Sequence, residues 1–487
     1  MDKILLINAI IRFVESHVKD GINYQELEKS IGLSYHHLRQ IFKDFMKVPL
    51  KHYINSRKAA YAAFEIEFTD KTLLRISGEY NFDAYDTFTR LFKRETGITP
   101  NEYKKEGRHS VQRKMIGMGT YAPVLSEKAD VSITGAKTDS DGIVLYGVPE
   151  LAFSSGKCTP FPACAESVLS YIGQRENCSY TWLMAVSGAA FRFCWNAGNW
   201  DMGNSNLMNV TPQNPWELYE RTFRAAGRRY RLTLKDNLTK DAFFTQIMES
   251  INKGNPAIAL GIVGPPEACI ITGYNKNENS LFGWSYFQDN PEFSTGIQID
   301  ESGCFRSNGW WDNPFTTALF TVEGETAIPS LYEILKHIFS ILTLQTAGEY
   351  QAGQSAYQCW ANDITNDDLF AEKSVTPILL NRFFCQADAE TMIGEGRYWG
   401  AQFFTQLGKE QNDIAGLCFE AADFLNKTSK YAQQMTTIRQ GERQTEEAVR
   451  EFAGKYIRKE IGTLIIKAKE SERKAIVAIE KIMNQLL

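Results

Sequence analysis

Apolar residues at the start of the chain recur at helical spacing. Ile4, Leu5, Ile7, Ile10, Ile11, Val14 and Val18 share one side of a helix drawn over residues 3–18. Arg12 and Glu15 interrupt the run and no small-residue cleavage site follows, so the segment reads as an amphipathic helix and not as an export signal. The next stretch, NYQELEKSIGLSYHHLRQIFKDFM, predicts a short helix over 24–31, a turn at Gly32, and a second helix capped by Ser34 and running to about Met46. Leu38, Ile41, Phe42 and Phe45 form the apolar face of that second helix; Tyr35, His36, Arg39 and Gln40 lie opposite, with Lys43 and Lys47 nearby. The theme then recurs. TLLRISGEYNFDAYDTFTRLFKRETGITPNEYKK predicts a short helix over 71–79, a turn at Asn81-Phe82, and a longer helix over about 84–96. Between the two, PLKHYINSRKAAYAAFEIEF has no breaker after Pro49 and predicts one helix. At 1.5 Å per residue, its roughly 18 residues reach about 27 Å.

A helix, a turn and a second helix make the helix-turn-helix pattern, present here twice. The polar faces carry side chains able to hydrogen-bond base edges, flanked by lysines suited to phosphate. Successive major-groove faces lie about 34 Å apart, so a stiff spacer of this length suits two reading helices on one side of a duplex. The residues Phe82, Thr87-Phe88-Thr89-Arg90-Leu91-Phe92-Lys93, Gly97-Ile98-Thr99-Pro100 and Tyr103 resemble the second helix-turn-helix of the AraC/XylS transcriptional regulators. Leu27, Ile31-Gly32-Leu33-Ser34, Leu38, Phe42-Lys43, Tyr53-Ile54 and Arg57 resemble the first. The resemblance implies an all-α DNA-binding domain over residues 1–107 that meets promoter duplex, with RNA polymerase as a further partner. Carried over position by position, it makes Tyr35, His36, Arg39 and Gln40 base-reading candidates in the first unit, and Tyr85, Asp86, Thr87 and Arg90 in the second. Asp86 suits a cytosine amine or solvent, and Arg90 suits phosphate as well as a base. Asn81 stands where the family usually has Gly, at a turn position that needs a positive φ, which Asn tolerates.

Composition separates this part from the rest. The 487-residue chain has a formal net charge of −5, yet residues 1–114 carry +5 and the remainder −10. His17, His36, His37, His52 and His109 all lie in that first part; only His337 lies beyond it, and all nine Trp do. A basic, Trp-free module that meets polyanions is thus joined to an acidic, Trp-rich one. With 43% hydrophobic residues the chain can build several packed cores, which excludes a disordered or fibrous protein. No apolar run of about 18 residues exists, so no membrane span is expected. Nine scattered Cys without a CxxC pair point to reduced thiols in a cytoplasm, with no metal site and no cofactor.

Residues 108–150 read as a polar, Gly-punctuated connector with one or two strands. GKCTPFPACAESVLSYIGQ then gives a loop and an apolar helix beginning near Cys164, where a helix N-terminus would favour a thiolate. NPAIALGIV, EACIITGYN and NSLFGWSYFQ are three short β-type runs. A helix-borne Cys followed by a small sheet resembles the papain-like cysteine peptidases, and more narrowly the C39-like and BtrH-type butirosin-biosynthesis domains, through Cys164, Gly173, the strand from Pro256 to Ile262, Gly273-Tyr274 and Asp289. The resemblance implies a papain-like domain over 151–325, with one departure. Cys269 stands where the family's catalytic His opens a strand, and residues 110–336 contain no His. Cysteine catalysis needs an imidazole to take the thiol proton. Cys164, Cys269 and Asp289 therefore read as vestiges, the domain as a non-enzymatic cleft that binds a small effector. The wall candidates are Cys164, Trp195, Trp284, Tyr286, Trp310 and Trp311, suited to an aromatic or cationic molecule. An active cysteine hydrolase or acyltransferase, or control by a protein partner, are the alternatives.

Residues 326–487 are helix-like throughout and predict a helical domain, an antiparallel bundle that could close the cleft or form a homodimer. The expected fold class is therefore multidomain: an all-α double helix-turn-helix domain, an α+β papain-like domain, and a helical bundle.

Overall fold

The computed structural model describes residues 10–105 and 135–487, apart from 11–12, 15–16, 18–20, 47–48, 69–70, 83, 97, 139–140, 152–155, 175, 202, 204–205, 236–238, 291–292, 295, 301, 372–376 and 440–445. Most of the helix expected over 3–18 and the connector up to residue 134 thus lie outside the described residues, as does the boundary at 107. Two compact units emerge: Met1–Gly147 with Leu260–Thr317, and Val148–Ala259 with Ala318–Leu487. The segment read from sequence as one module over 151–325 contributes to both.

In the first unit, Ile10, Phe13, Val14 and His17 are helical, and Ile10 and Val14 are buried. Six helices follow: α1 Tyr24–Ile31, α2 Tyr35–Met46, α3 Leu50–Phe68, α4 Leu73–Glu79, α5 Tyr85–Thr96 and α6 Pro100–Lys105. Helix α3 has 19 residues, or about 28 Å. It belongs to two small cores at once. Its Leu50, Tyr53 and Ile54 join Leu27, Leu38 and Phe42 of α1 and α2. Its Ala62, Ala63 and Ile66 join Ile76, Phe88, Phe92 and Tyr103 of α4, α5 and α6. One stiff rod is therefore the shared wall of both helix-turn-helix units. The strands of this unit form a run of antiparallel pairs: β1 Gly135–Thr138 with β2 Gly142–Tyr146, and β2 with β6 Ala268–Asn275. Strand β6 pairs with β7 Ser280–Trp284, β7 with β9 Phe305–Ser307, and β9 with β8 Ile297–Ile299. Gly283 is required where β7 crosses β6, since a Cβ there would sit 1.8 Å from the Ile270 carbonyl oxygen.

The second unit opens with α7 Pro160–Tyr171, α8 Tyr180–Val186, β3 Cys194–Trp195, α9 Glu217–Ala225, β4 Arg228–Leu234, α10 Lys240–Asn252 and β5 Ala257–Leu260. It resumes with β10 Ala318–Glu325, α11 Leu331–Leu342, β11 Thr346–Ala347, β12 Tyr350–Ala352 and α12 Gly353–Thr365. The long helices α13 Pro377–Glu410 and α14 Ala415–Ile438, then α15 Glu446–Phe452 and α16 Lys455–Gln485, complete it. Strand order is β4-β10-β5 in one sheet and β11-β12-β3 in another. Helix α14 packs against α13 and α16, and α12 against α16, around a core holding Trp195, Trp200, Tyr357, Trp360, Phe383 and Ile465. Two ionic pairs are closed inside it. Arg397 meets Glu472 at 2.5 Å with neither side chain exposed, and Arg439 meets Glu390 at 2.9 Å. Such pairs are tolerated because each charge also finds neutral partners: Arg397 donates to the Ala190 and Arg192 carbonyls, and Tyr357 donates to Glu472.

Three expectations are corrected here. Cys164 does not stand at a helix N-terminus: α7 begins at Pro160, which puts the thiol beyond the first turn and fully buried. The consecutive Pro160-Phe161-Pro162 favours an earlier start, because proline is preformed for the first helical turn. Trp195 and Trp310 do not line a cleft. Trp195 is packed in the helical core with its indole donating to Asp363 at 2.8 Å, and Trp310 is fully buried with its indole donating to the Asn279 carbonyl at 3.0 Å.

Candidate nucleic-acid interface

Each helix-turn-helix is set by local chemistry. In the first, Asn23 caps α1 by accepting from Gln25 and Glu26 N–H. Helix α1 ends on Gly32 in the left-handed region at φ 77°, with its N–H donating to the Glu28 carbonyl. Helix α2 then starts under a long-range cap: Tyr35 N–H donates to the Glu28 carboxylate at 2.6 Å. Leu38 and Phe42 are fully buried, whereas His36, Arg39, Gln40 and Lys43 are exposed, which is the division expected. Gln40 donates to Asp44 at 2.9 Å. Tyr35 departs from expectation. It is half-buried on the first core, and its ring stacks on Tyr24 at 4.2 Å. Burial first, then Tyr24, hold its hydroxyl protonated well above the usual phenol range.

In the second unit Thr72 caps α4 by accepting from Arg75 N–H. The turn carries Asn81 at φ 52°, so Asn does take the left-handed role foreseen for it. Helix α5 buries Phe88 and Phe92 and exposes Asp86, Thr87, Arg90, Lys93 and Arg94. Arg90 donates to the Asp86 carbonyl at 3.3 Å. Tyr85 is half-buried and meets Phe88 at 5.9 Å, so it belongs partly to the core. Three residues not singled out from sequence, Ser56, Arg94 and Glu95, brace α5. Ser56 of α3 donates to Glu95 at 2.6 Å, and Arg94 donates to the other oxygen of that carboxylate at 2.6 Å. Glu28 and Glu95 gave no local signal, since both act across helices. A capping box of T-x-x-E form, which the sequence reading missed, opens α6: Thr99 N–H donates to Glu102 at 2.7 Å and Glu102 N–H donates to the Thr99 hydroxyl at 3.2 Å.

The interface so built is two exposed polar helix faces, mostly cationic or neutral, mounted on one rod. Such faces can hydrogen-bond base edges and neutralise phosphates.

The remaining candidates fall in both compact units. Cys164 and Trp195 belong to the second unit, and Cys269, Trp284, Tyr286, Asp289, Trp310 and Trp311 to the first. Cys269 is fully buried in β6, Tyr286 is buried, Trp284 and Trp311 are half-buried, and Asp289 is exposed. His337 on α11 is buried, and that burial depresses its pKa to about 3. No group of His, Cys, Asp and Glu among the described residues could hold a metal ion. No described helix is long and apolar enough to cross a membrane.

A family profile described as a helix-turn-helix domain matches residues 27–106. The probable transcription factor PqrA of Proteus vulgaris is 32% identical over 104 residues, which is 21% of this chain and 85% of PqrA. The transcriptional regulator Rob of Salmonella typhimurium (strain LT2) is 29% identical over 110 residues, 23% of this chain and 38% of Rob. The chain spans less than half the length of most of these curated relatives. Among solved structures, the C-terminal domain of the response regulator yesN from Fusobacterium nucleatum is 25% identical, covering 20% of this chain and 95% of that domain, with a TM-score of 0.19.

Proposed function

The chain belongs to the AraC-type family of helix-turn-helix transcriptional regulators, and from that premise we propose that it is a regulator whose C-terminal portion binds a small-molecule effector. The observation that carries the DNA-reading half is the single α3 rod shared by two cores, from which α2 and α5 each expose a polar face. His36, Arg39 and Gln40 on α2, with Thr87 and Arg90 on α5, are the base-reading set; Lys43, Lys93 and Arg94 meet phosphate. Asp86 reads a cytosine amine or stays in solvent. Promoter duplex and RNA polymerase are the macromolecular partners, and a homodimer is compatible with paired operator sites.

Arg39→Ala is expected to weaken operator binding by about 1–3 kcal/mol and to relax the sequence requirement at one position. Footprinting of the chain's own promoter checks this; a footprint identical to wild type sinks the base-reading assignment.

The sensing half is non-enzymatic in this reading, a degenerate papain-like scaffold. Two facts support it. Cys164 and Cys269 are fully buried. The one histidine beyond residue 109, His337, is buried and held neutral far below the pH at which it could relay a proton. An activated-cysteine probe near pH 7 is therefore expected to leave Cys164 unlabelled. An effector shifts the DNA-competent population through differential affinity, typically 1–3 kcal/mol of coupling. A thermal-shift screen of aromatic and cationic metabolites separates this from control by a protein partner, since a bound molecule raises the melting point by mass action.

A further inference from the structure

Three side chains gather at the start of α2. Tyr24 of α1 and Tyr35 of α2 have ring centroids 4.2 Å apart at 37°. Arg39, one turn further on, has its guanidinium carbon 5.6 Å from the centre of the Tyr35 ring. Below, Tyr35 packs on the core of Leu27, Leu38 and Phe42. Its backbone N–H is tied to Glu28 of α1. Ring and backbone of the first residue of α2 are thus both anchored to α1, while Arg39 above them remains exposed.

A long guanidinium side chain in water samples many rotamers, and ordering it on binding costs free energy. An aromatic face beneath it narrows that sampling through cation–π attraction. Arginine reading guanine needs its planar fork presented edge-on to O6 and N7.

We propose that Tyr35 is a positioning residue, not a base reader: with Tyr24 packed against it, it forms an aromatic platform that holds the Arg39 guanidinium for bidentate reading of a guanine in the major groove. This rests on α2 being a groove-reading helix. Gln40 on the same face is held by a different device, its bond to Asp44.

The test uses the full-length chain and a duplex it selects from a random-sequence pool. Binding is measured on that duplex and on a set with each base pair replaced singly. Arg39→Ala marks one base pair, losing discrimination there by about tenfold or more. Tyr35→Leu is expected to lose about threefold discrimination at that same base pair and none elsewhere. Tyr35→Phe keeps it, and Tyr24→Leu shows a smaller loss at the same place. Tyr24→Leu alone decides the matter if Tyr35→Leu does not fold, because Tyr24 is on the exposed rim. Two results overturn the platform: Tyr35→Leu relaxing a base pair that Arg39→Ala leaves intact, or weakening every duplex equally. Unchanged discrimination in Arg39→Ala removes instead the groove-reading premise, and the platform's role with it.

Discussion

Helices α2 and α5 are both 12 residues long and bury the same pattern of apolar positions against the same rod, yet they are held differently. Helix α2 is fixed at its beginning, by the Glu28 cap and the Tyr24–Tyr35 stack. Helix α5 is fixed near its end, by Ser56 and Glu95. The first unit presents a reading face whose leading residues are already ordered; the second is tied to the spacer and leaves its leading residues, Asp86 and Thr87, exposed. Duplicated folds need not have duplicated control points: the polar contacts that set aim diverge while the apolar contacts that set the fold stay.

The largest expected effect tests whether the two cores are independent. Phe88→Ala removes a fully buried ring that touches Phe82, Tyr85 and Phe92. It is expected to cost the second unit about 3–5 kcal/mol. Amide exchange in α5 should accelerate while that in α2 does not; equal acceleration in both would make the two units one cooperative block. Next, Ser56→Ala leaves the Glu95 carboxylate, whose side chain is only 11% exposed, with one partner fewer. About 2 kcal/mol is expected, read as faster exchange at the C-terminal turn of α5 and unchanged exchange at the start of α2. Gly32→Ala is expected to cost about 1–2 kcal/mol for the left-handed backbone alone, since a Cβ there would meet nothing within 4 Å. Asn81→Gly is expected to change stability by less than about 1 kcal/mol, because Asn already accepts that geometry. Chemical denaturation followed at α4–α5 amides compares the two turns.

The smallest effect concerns pH. Glu102 has its pKa lowered, first by the Thr99 N–H and then by the Thr99 hydroxyl. A carboxylate depressed in the folded state adds stability above its unfolded pKa and loses it as pH falls through the folded one. The first turn of α6 should therefore fray on acidification below the ordinary carboxylate range, and Glu102→Gln should remove that pH dependence. Helix α1, capped by the uncharged Asn23, should lack it.

Legibility from sequence follows the range of the forces involved. The apolar stripes and the turn residues Gly32 and Asn81 are short-range signals, and they place helices α1 to α5 within a residue or two of their positions in the fold. The reading faces followed from the same spacing, except at Tyr35, where helical periodicity gives a direction but not the neighbour waiting there. Tyr24 is eleven residues away and on another helix. The aromatic residues of the later segments were harder. Trp195 and Trp310 sit in Gly/Asn-rich sequence that looks like exposed loop, yet each indole finds a buried acceptor, Asp363 or the Asn279 carbonyl, that only the tertiary fold supplies. Cys164 lies a turn further into its helix than the sequence pattern predicts, because Pro160 and Pro162, which look like loop, form its first turn. The papain-like reading rests on Cys164, Gly173, the strand from Pro256 to Ile262, Gly273-Tyr274 and Asp289, short motifs that carry no long periodic pattern, with Cys269 as its departure.

The carboxylate of Glu395 in α13 accepts from Cys158 N–H at 2.6 Å, from the Thr159 hydroxyl at 2.9 Å and from the Tyr180 hydroxyl at 2.6 Å, 236 positions downstream of Thr159. On the ribosome, at roughly 5–20 residues per second, that interval is about 12–47 seconds. During it the leading edge of α7 is made but its anchor is not. The second unit is obliged to wait for its own tail, and a nascent chain interrupted before residue 395 offers the quality-control machinery an unfinished helix end.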